Sequence, residues 1–311
     1  MPTHQTTLLS DRGVLLISGS DAAAFLQNII TSDLDNVTAG QAIYSALLTP
    51  QGKILFDFFL IPAGEAFLID APASEIPALL KRLAMYRLRS DVEIADVSKA
   101  FVIEATWAGM RPTQDLEPIL YQDPRHRDLG QRAIVTRAQQ EAGETDGAKE
   151  DPNLIFNATL QAYDAHRIDL GIPQGGKDFK FGDVFPHDAL LDQLHGVSFA
   201  KGCYVGQEVV SRMHHRATAR KRIIRVVAAN NASLPEAGTE ITAGAAKIGK
   251  LGSSHASSGL ALVRLDRAKE AIEAGTPIQA GDVVLDIHIP DWANFSLDNV
   301  SGKNANESAP L

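Results

Sequence analysis

The sequence Lys201-Gly-Cys-Tyr-Val-Gly-Gln-Glu208 is the most distinctive stretch of this chain. It contains Cys203, the only cysteine among 311 residues. The glycines at 202 and 206 allow the backbone to turn or to approach a ligand closely. A lone cysteine can be a small buried hydrophobic residue. Here its neighbours are small, polar and charged, and Lys201 with the downstream arginines favours a thiolate. We therefore predict a functional role for Cys203.

The charge distribution limits the classes of partner. The chain carries 29 Lys and Arg against 38 Asp and Glu, a net charge of −9. This balance argues against general nucleic-acid binding. Between Lys201 and Arg225, however, seven basic residues stand against one acidic residue. Such a local positive segment suits a small anionic ligand better than a long polyanion, and a solvated charged surface would show the same pattern.

The single cysteine also limits the compartment and the metal chemistry. It excludes a disulfide framework within the chain and is typical of a reducing compartment. It excludes an iron–sulfur or metal site to which this chain alone supplies several thiolates. The sequence shows no secretory signal and no run of about 18 apolar residues. We therefore expect a cytoplasmic protein without a membrane partner.

Common catalytic motifs are missing from the sequence. Phosphate-binding loops, dinucleotide-binding fingerprints and the serine-hydrolase elbow are absent. His214 and His215 are adjacent, so their side chains point to different faces and cannot easily bind one metal ion. With Cys203 they would supply two ligands at most, and we predict no metal site. A Cys–His nucleophilic pair depends on contacts in space, which the order of the residues does not show.

Residues 1–112 are predicted to form an α+β lobe. Short β-branched or alternating runs predict strands at 13–18, 42–49, 53–61, 65–70, 91–97 and 101–107. Helical spacing of apolar residues predicts helices at 20–30 and 75–89. The second helix carries four basic residues, Lys81, Arg82, Arg87 and Arg89.

Residues 113–219 are predicted to form a second α+β lobe, which carries the cysteine motif. It includes a strand at 132–137, a polar surface loop at 141–151, helices at 157–170 and 188–194, and an ordered loop at 174–186. Residues 220–292 contain short strands at about ten-residue spacing, which predicts a small β-barrel or sandwich. Residues 293–311 are polar and small, and we expect a disordered tail.

The motif matches the signature Lys-Gly-Cys-Tyr/Phe-x-Gly-Gln-Glu of the folate-binding YgfZ/GcvT-like family in full. Further similarities span nearly the whole chain: Asp21-Ala-Ala-Ala-Phe-Leu-Gln-Asn28, Gly52-Lys53, Arg82-Leu-Ala-Met-Tyr-Arg-Leu-Arg89 and Arg167-Ile-Asp-Leu-Gly-Ile-Pro173. The chain thus closely resembles this family. The resemblance implies a GcvT-like α+β fold of three lobes, two α+β lobes and a C-terminal β-barrel. It places them around a central opening that holds tetrahydrofolate or another reduced folate.

The resemblance also implies a role in the assembly, maturation or repair of iron–sulfur enzymes. Cys203 would be the catalytic group, and iron–sulfur client enzymes or assembly proteins would be partners. Carboxylates suit the pterin N–H groups, aromatic rings suit the aryl portion, and basic groups suit the glutamate tail. The predicted folate-contacting residues are Lys201, Gly202, Tyr204, Gly206, Gln207, Glu208, Asp57, Asp169, Phe199 and Arg87.

The alternative function is that of a folate-dependent aminomethyltransferase, which shares the family's fold. The transferase of the glycine cleavage system has Gly-Gly-x-x-Asp-Asp where this chain has Gly52-Lys-Ile-Leu-Phe-Asp57, so Phe56 replaces one acid. Its Arg-x-Glu-x-Gly corresponds to Arg167-Ile-Asp-Leu-Gly171, with a carboxylate shorter by a methylene. The transferase also lacks the cysteine signature. These departures favour the iron–sulfur role and leave one-carbon transfer as the second hypothesis.

Overall fold

The computed structural model describes residues 4–37, 41–111, 118–138, 156–215 and 219–297. The predicted loop at 141–151 and the tail residues 298–311 lie outside these ranges. Among the described helices, none combines the length and the apolar character needed to span a bilayer.

The described residues form two open sheets, a closed barrel and the helices that cover them. The strands are β1 (Gln5–Leu8), β2 (Arg12–Ser18), β3 (Ile43–Leu48), β4 (Ile54–Ala63), β5 (Ala66–Pro72), β6 (Glu93–Asp96), β7 (Phe101–Trp107), β8 (Ile119–Gln122), β9 (Gln131–Thr136), β10 (Lys221–Ala228), β11 (Glu240–Ala243), β12 (Ala246–His255), β13 (Ser258–Arg264), β14 (Ile278–Ala280) and β15 (Val283–His288). The helices are α1 (Ala22–Ile29), α2 (Ile76–Arg87), α3 (Leu160–Asp169), α4 (Gln207–His215) and α5 (Leu265–Glu273).

The first sheet is antiparallel, with the strand order β3-β4-β5-β2-β6. Helices α1 and α2 cover one of its faces. Phe25 and Leu26 of α1 and Leu79 and Leu83 of α2 share one buried apolar cluster with Leu15 of β2. Their helical spacing places these side chains on single faces, which is why the predicted helices formed here. All six strands predicted within residues 1–112 are present: five form this sheet, and the sixth is β7 of the second sheet.

The second sheet has the order β1-β7-β9-β8, and it uses strands from both predicted lobes. Strand β1 pairs with β7 although about a hundred residues separate them in the chain. Strands β1 and β7 precede the predicted lobe boundary at residue 113, whereas β8 and β9 follow it. The two predicted lobes therefore share this sheet. Helix α3 follows it, beginning after Thr159, whose side chain accepts a hydrogen bond from the Ala162 N–H.

The C-terminal part is a closed barrel of six strands, in the order β10-β13-β12-β11-β14-β15. The predicted barrel is therefore confirmed, and the sheets and helices together confirm the α+β class. Sequence periodicity missed β14, a strand of three residues, and helix α5. The described end of the chain packs onto this barrel and the lobe beside it: the Trp292 indole donates to the Leu170 carbonyl at 2.8 Å. Phe295 lies against both hydrophobic clusters, so residues 293–297 belong to the folded protein.

The helix predicted at 188–194 is wrong. This segment forms hydrogen-bonded turns instead of a helix. Leu190 and His195 have φ angles of 63° and 60°. A right-handed helix requires a negative φ at every residue, so Leu190 prevents one within 188–194, and His195 prevents its continuation.

Candidate functional site

The motif residues 201–208 lie on a loop that leads into helix α4, and Lys201 ties this loop to helix α1. The buried Lys201 Nζ donates to the backbone carbonyls of Gln27 at 2.7 Å, Ile30 at 2.9 Å and Ser32 at 2.7 Å. An ammonium has three N–H donors, so each of them has an acceptor here. The positive charge also lies at the carbonyl end of α1, where the helix dipole favours a cation. Lys201 thus positions the loop.

Burial lowers the pKa of Lys201 to about 8, while the nearby carboxylates of Asp33 and Asp35 act in the opposite direction. The ammonium also lies over the Tyr204 ring, 5.4 Å from its centroid. Tyr204 is buried in the main hydrophobic cluster, and burial raises its pKa to about 12. The residues on both sides of Gly202 and Cys203 are therefore anchored in the fold.

Cys203 itself is exposed and forms no disulfide. A Cβ atom added to its neighbour Gly202 would meet no other atom within 4 Å. Both the thiol and the backbone beside it are therefore open to an approaching molecule. The loop presents Cys203 outward between two anchored residues, Lys201 and Tyr204.

The second half of the motif packs against the turn between β3 and β4. Gly206 has a φ of 83°, and a Cβ atom there would lie 2.5 Å from the Thr49 carbonyl oxygen. Gln207 begins α4. Glu208 is exposed and accepts a hydrogen bond from Arg212 one helical turn later, at 2.8 Å. The packing of this loop therefore requires a glycine at 206, whereas Glu208 lies on the protein surface.

Phe199 belongs to a cluster of rings beside this loop. Its half-exposed ring stacks on that of His214, with 3.7 Å between the centroids. His187 lies 6.1 Å from Phe199 and 6.3 Å from His214. His187 is buried, and neither of its ring nitrogens has a hydrogen-bond partner among the described residues. Burial lowers the pKa of His187 to about 4, against the opposing effect of Asp192.

No three His, Cys, Asp or Glu side chains in the described ranges are grouped so that they could hold a metal ion. Tertiary structure does bring the two histidines His187 and His214 together. Cys203 therefore offers a single sulfur ligand. The described part of this chain supplies no preformed set of further metal ligands beside it.

A second candidate site is a small cavity between the two open sheets. Because residues of both predicted lobes line it, we take it as the candidate for the central opening that the family resemblance implies. Its volume is about 10 Å³. The lining comes from both lobes: Leu9, Asp11, Arg12, Tyr44, Asp57, Phe58, Phe59, Arg125, Arg132, Leu160, Tyr163 and Gln174.

Buried ion pairs occupy the space around this cavity. Asp70 accepts hydrogen bonds from Arg12 at 2.5 Å and from Arg132 at 3.0 Å. Asp123 accepts from Arg132 at 3.0 Å and from Arg125 at 2.8 Å. Burial alone would raise the pKa of Asp123, but the two guanidinium groups beside it bring the pKa down to about 2. Asp123 is therefore an ionised carboxylate that forms ion pairs with both guanidinium groups.

Asp57 is the predicted site residue that lines the cavity. The Tyr44 hydroxyl donates to its Oδ2 at 2.6 Å, whereas its Oδ1 has no partner among the described residues. Burial raises the pKa of Asp57. A carboxylate oxygen without a donor can accept one from a bound molecule.

The other predicted folate-contacting residues lie elsewhere. Asp169 is exposed and accepts a hydrogen bond from Arg225 of the barrel at 3.3 Å. Arg87 is exposed at the end of α2 and donates to the Val92 carbonyl at 3.2 Å. Neither residue lines the cavity around Asp57, and neither does Phe199 or a motif residue. The structure therefore does not bring the predicted folate ligands together in this cavity.

The cavity fits a folate in the chemistry of its lining but not in size. Asp57 offers a free acceptor, and three arginines stand close by. A volume of about 10 Å³ is what a single water molecule needs. The guanidiniums are moreover already paired with Asp70 and Asp123. The residues as they stand do not accommodate a pterin ring.

The charged residues of this network were not among the site residues predicted from the sequence. The available signal was a charged residue within an otherwise apolar strand, as with Asp70 in β5 and Arg132 in β9. Such a residue must find a partner when the strand is buried. Which partner it finds depends on how the two sheets meet, and the sequence pattern does not specify this.

Two family models match separate parts of the chain. The GCVT N-terminal domain matches residues 9–107, and the CAF17 C-terminal β-barrel domain matches residues 220–295. Among solved structures, the glycine cleavage system aminomethyltransferase T from Bartonella henselae superposes with a TM-score of 0.71. That superposition covers 94% of this chain and 86% of the transferase at 17% identity, so it shows the shared fold alone.

Sequence relatives narrow the family. The human protein named iron-sulfur cluster assembly factor IBA57, mitochondrial, is 31% identical over 313 residues, which cover 91% of this chain and 84% of that protein. This chain belongs to the IBA57 family. IBA57 homologues from Mycosarcoma maydis and Dictyostelium discoideum are 30% and 29% identical. The alignments span 57% and 61% of the lengths of these two proteins.

The comparisons correct two predictions made from the sequence. The resemblance to the YgfZ/GcvT-like family holds at the level of a related family, since the relatives are IBA57 proteins rather than YgfZ itself. The predicted cytoplasmic location is contradicted, because the IBA57 relatives are named as mitochondrial proteins.

Proposed function

We propose that this chain is an accessory protein in the assembly, maturation or repair of iron–sulfur clusters, with Cys203 as its functional group. Relatives in the IBA57 family are named as assembly factors of these clusters. The observation that carries the proposal is the presentation of Cys203. Its thiol is exposed beside the open backbone of Gly202, while Lys201 and Tyr204 hold the loop in place.

The chemistry of Cys203 fits this role. A thiolate is a soft ligand that suits iron in clusters. A cluster is held by several ligands, and this chain has one cysteine. The partner of Cys203 is therefore expected to be an iron–sulfur client enzyme or an assembly protein that supplies the remaining ligands. An exposed thiol allows two proteins to share a cluster, whereas a buried thiol would not.

The test compares variants of the motif in cells that lack the endogenous protein. Cys203→Ser removes the soft ligand at almost unchanged size, and it should lower the activity of a cluster-dependent dehydratase to the level of cells with no copy. An immunoblot verifies that Cys203→Ser is as abundant as the wild-type protein. Iodoacetamide should label Cys203 in the native protein.

Full support of the dehydratase by Cys203→Ser, at wild-type abundance, would contradict the proposal. A thiol that reacts only after denaturation would contradict it as well, since the role requires an accessible Cys203.

Reduced folate, which the family resemblance implies, stays outside this proposal because the cavity around Asp57 is too small for a pterin. Aminomethyl transfer was the alternative hypothesis, and the transferase shares this fold at only 17% identity. An assay of formaldehyde-equivalent transfer to tetrahydrofolate distinguishes the two functions. We expect no turnover, and turnover that survives loss of Cys203 would favour the transferase.

A further inference from the structure

We infer that the central cavity is an ion-paired core that holds one water molecule on Asp57, and that this chain needs no folate there. Neither part depends on the role proposed for Cys203. The inference rests on three features of the cavity: the arginine side chains that fill it, the hydrogen bonds that hold them in place, and the small volume that remains.

Three guanidinium groups fill the space, and all of them surround one aromatic ring. The guanidinium carbons of Arg12, Arg125 and Arg132 lie 5.5, 4.9 and 4.2 Å from the centroid of Phe59. Each of these arginine side chains is at most 6% exposed. Cations placed on an aromatic face and removed from water are held there by the ring as well as by their counter-ions.

The same arginines tie the two sheets to each other. Arg132 of β9 donates to Asp70 of β5 at 3.0 Å and to the Tyr163 hydroxyl of α3 at 3.1 Å. The Tyr121 hydroxyl of β8 also donates to Asp70, at 2.9 Å. Moving Arg132 aside to admit a ligand would break bonds to both carboxylates of the network and leave buried charges without partners. The position of Arg132 in this space is therefore a property of the fold and not of one side-chain rotamer.

The loop after α3 closes the cavity at Asp57. A Cβ atom added to Gly175 would lie 2.5 Å from Asp57 Oδ1, so the backbone of this loop passes directly over the carboxylate. The same oxygen lacks a donor among the described residues. The remaining volume of about 10 Å³ is the minimum that holds one water molecule. A water there would donate the missing hydrogen bond, whereas a pterin bicycle is many times larger.

The experiment measures binding of (6S)-5-formyltetrahydrofolate, a stable reduced folate, to the full chain by calorimetry and by thermal unfolding. A glycine-cleavage aminomethyltransferase serves as the positive control under the same conditions. We expect no saturable heat and no rise in Tm for this chain up to about 1 mM ligand. A high-resolution crystal structure should show one ordered water within hydrogen-bonding distance of Asp57 Oδ1.

Two variants locate any binding that is seen. Binding by the wild-type chain that weakens at least about tenfold in Asp57→Asn would overturn the inference, because the ligand would then use the central carboxylate. Tyr44→Phe, which removes the donor to the same carboxylate, takes its place if Asp57→Asn does not fold. Binding that is equal in wild type and variants lies outside the cavity and leaves the inference standing. A crystal structure with no water at Asp57 Oδ1 would overturn its first part.

Discussion

At the scale of single residues, Cys203 and His187 differ in their exposure to water. Cys203 is exposed, whereas His187 is 2% exposed and has two ring nitrogens without partners in the described structure. A buried imidazole in this position resists protonation, since the positive charge would lie away from water. The neighbouring Phe199 and His214 rings supply contact but no acceptor for the ring N–H.

The substitution His187→Leu should make the unfolding free energy fall less steeply as the pH is lowered. The folded-state pKa of about 4 lies below the unfolded value of about 6.5, so the unfolded chain binds more protons between these limits. The wild type should therefore lose on the order of 2 to 3 kcal/mol of unfolding free energy as the pH falls from 6.5 towards 4. The measurement is urea unfolding at several pH values. A slope as steep in His187→Leu as in wild type would contradict this assignment.

At the scale of elements, the motif loop combines two glycines that have different reasons to be there. Gly206 has a positive φ and contacts the turn that joins β3 and β4, where the Thr49 carbonyl leaves no room for a Cβ atom. Gly202 lies in open space. The sequence shows both as flanking glycines of Cys203, and only the packing of the loop against β3 and β4 distinguishes them.

The two alanine variants should therefore behave differently. Gly206→Ala should lower the unfolding free energy by about 2 kcal/mol or more, because it adds backbone strain and a clash with the Thr49 carbonyl. Gly202→Ala should change it by less than about 0.5 kcal/mol, since nothing surrounds that position. Chemical denaturation of both variants checks the difference. Equal losses of stability would show that the loop does not pack against Thr49 as described.

At the scale of the whole molecule, Arg167 links helix α3, the loop that follows it and the barrel. It is fully buried. Its guanidinium donates to Asp164 at 2.7 Å, to Asp178 at 2.6 Å and to the Ser253 hydroxyl at 2.8 Å. Asp178 in turn accepts a hydrogen bond from the Ser253 N–H at 2.8 Å. The orientation of the barrel relative to α3 is therefore fixed by a buried polar network.

The substitution Arg167→Met should destabilise the protein by about 3 to 5 kcal/mol, because it leaves Asp178 buried without its cation. Arg225→Met is the matched control. Arg225 also joins the barrel to α3, through Asp169, but both side chains of that pair are partly exposed. Its loss should cost less than about 1 kcal/mol. Similar unfolding midpoints for the two variants would contradict the importance of the buried link.

The fold class, most of the strands and helices, and the stretch that holds Cys203 could be predicted from the order of the residues. Hydrophobic periodicity reports which face of a strand or helix is buried, and it identified α1, α2 and the first sheet for that reason. The motif at 201–208 was readable because its residues are contiguous. Periodicity failed at 188–194, because the positive φ angle of Leu190 belongs to a turn and leaves no trace in the pattern of apolar residues.

The side chains that fill the cavity around Asp57 could not be predicted, because they meet only in the folded chain. Asp70 and Arg132 are separated by 62 positions in the chain and meet because two sheets face each other. Lys201 reaches carbonyls of α1 across more than 160 positions. Hydrogen bonds and ion pairs form between atoms about 3 Å apart, and sequence patterns carry information mainly about neighbours within one element. The anchoring of the Cys203 loop and the filling of the cavity by arginine side chains therefore follow from contacts that form only when the chain folds.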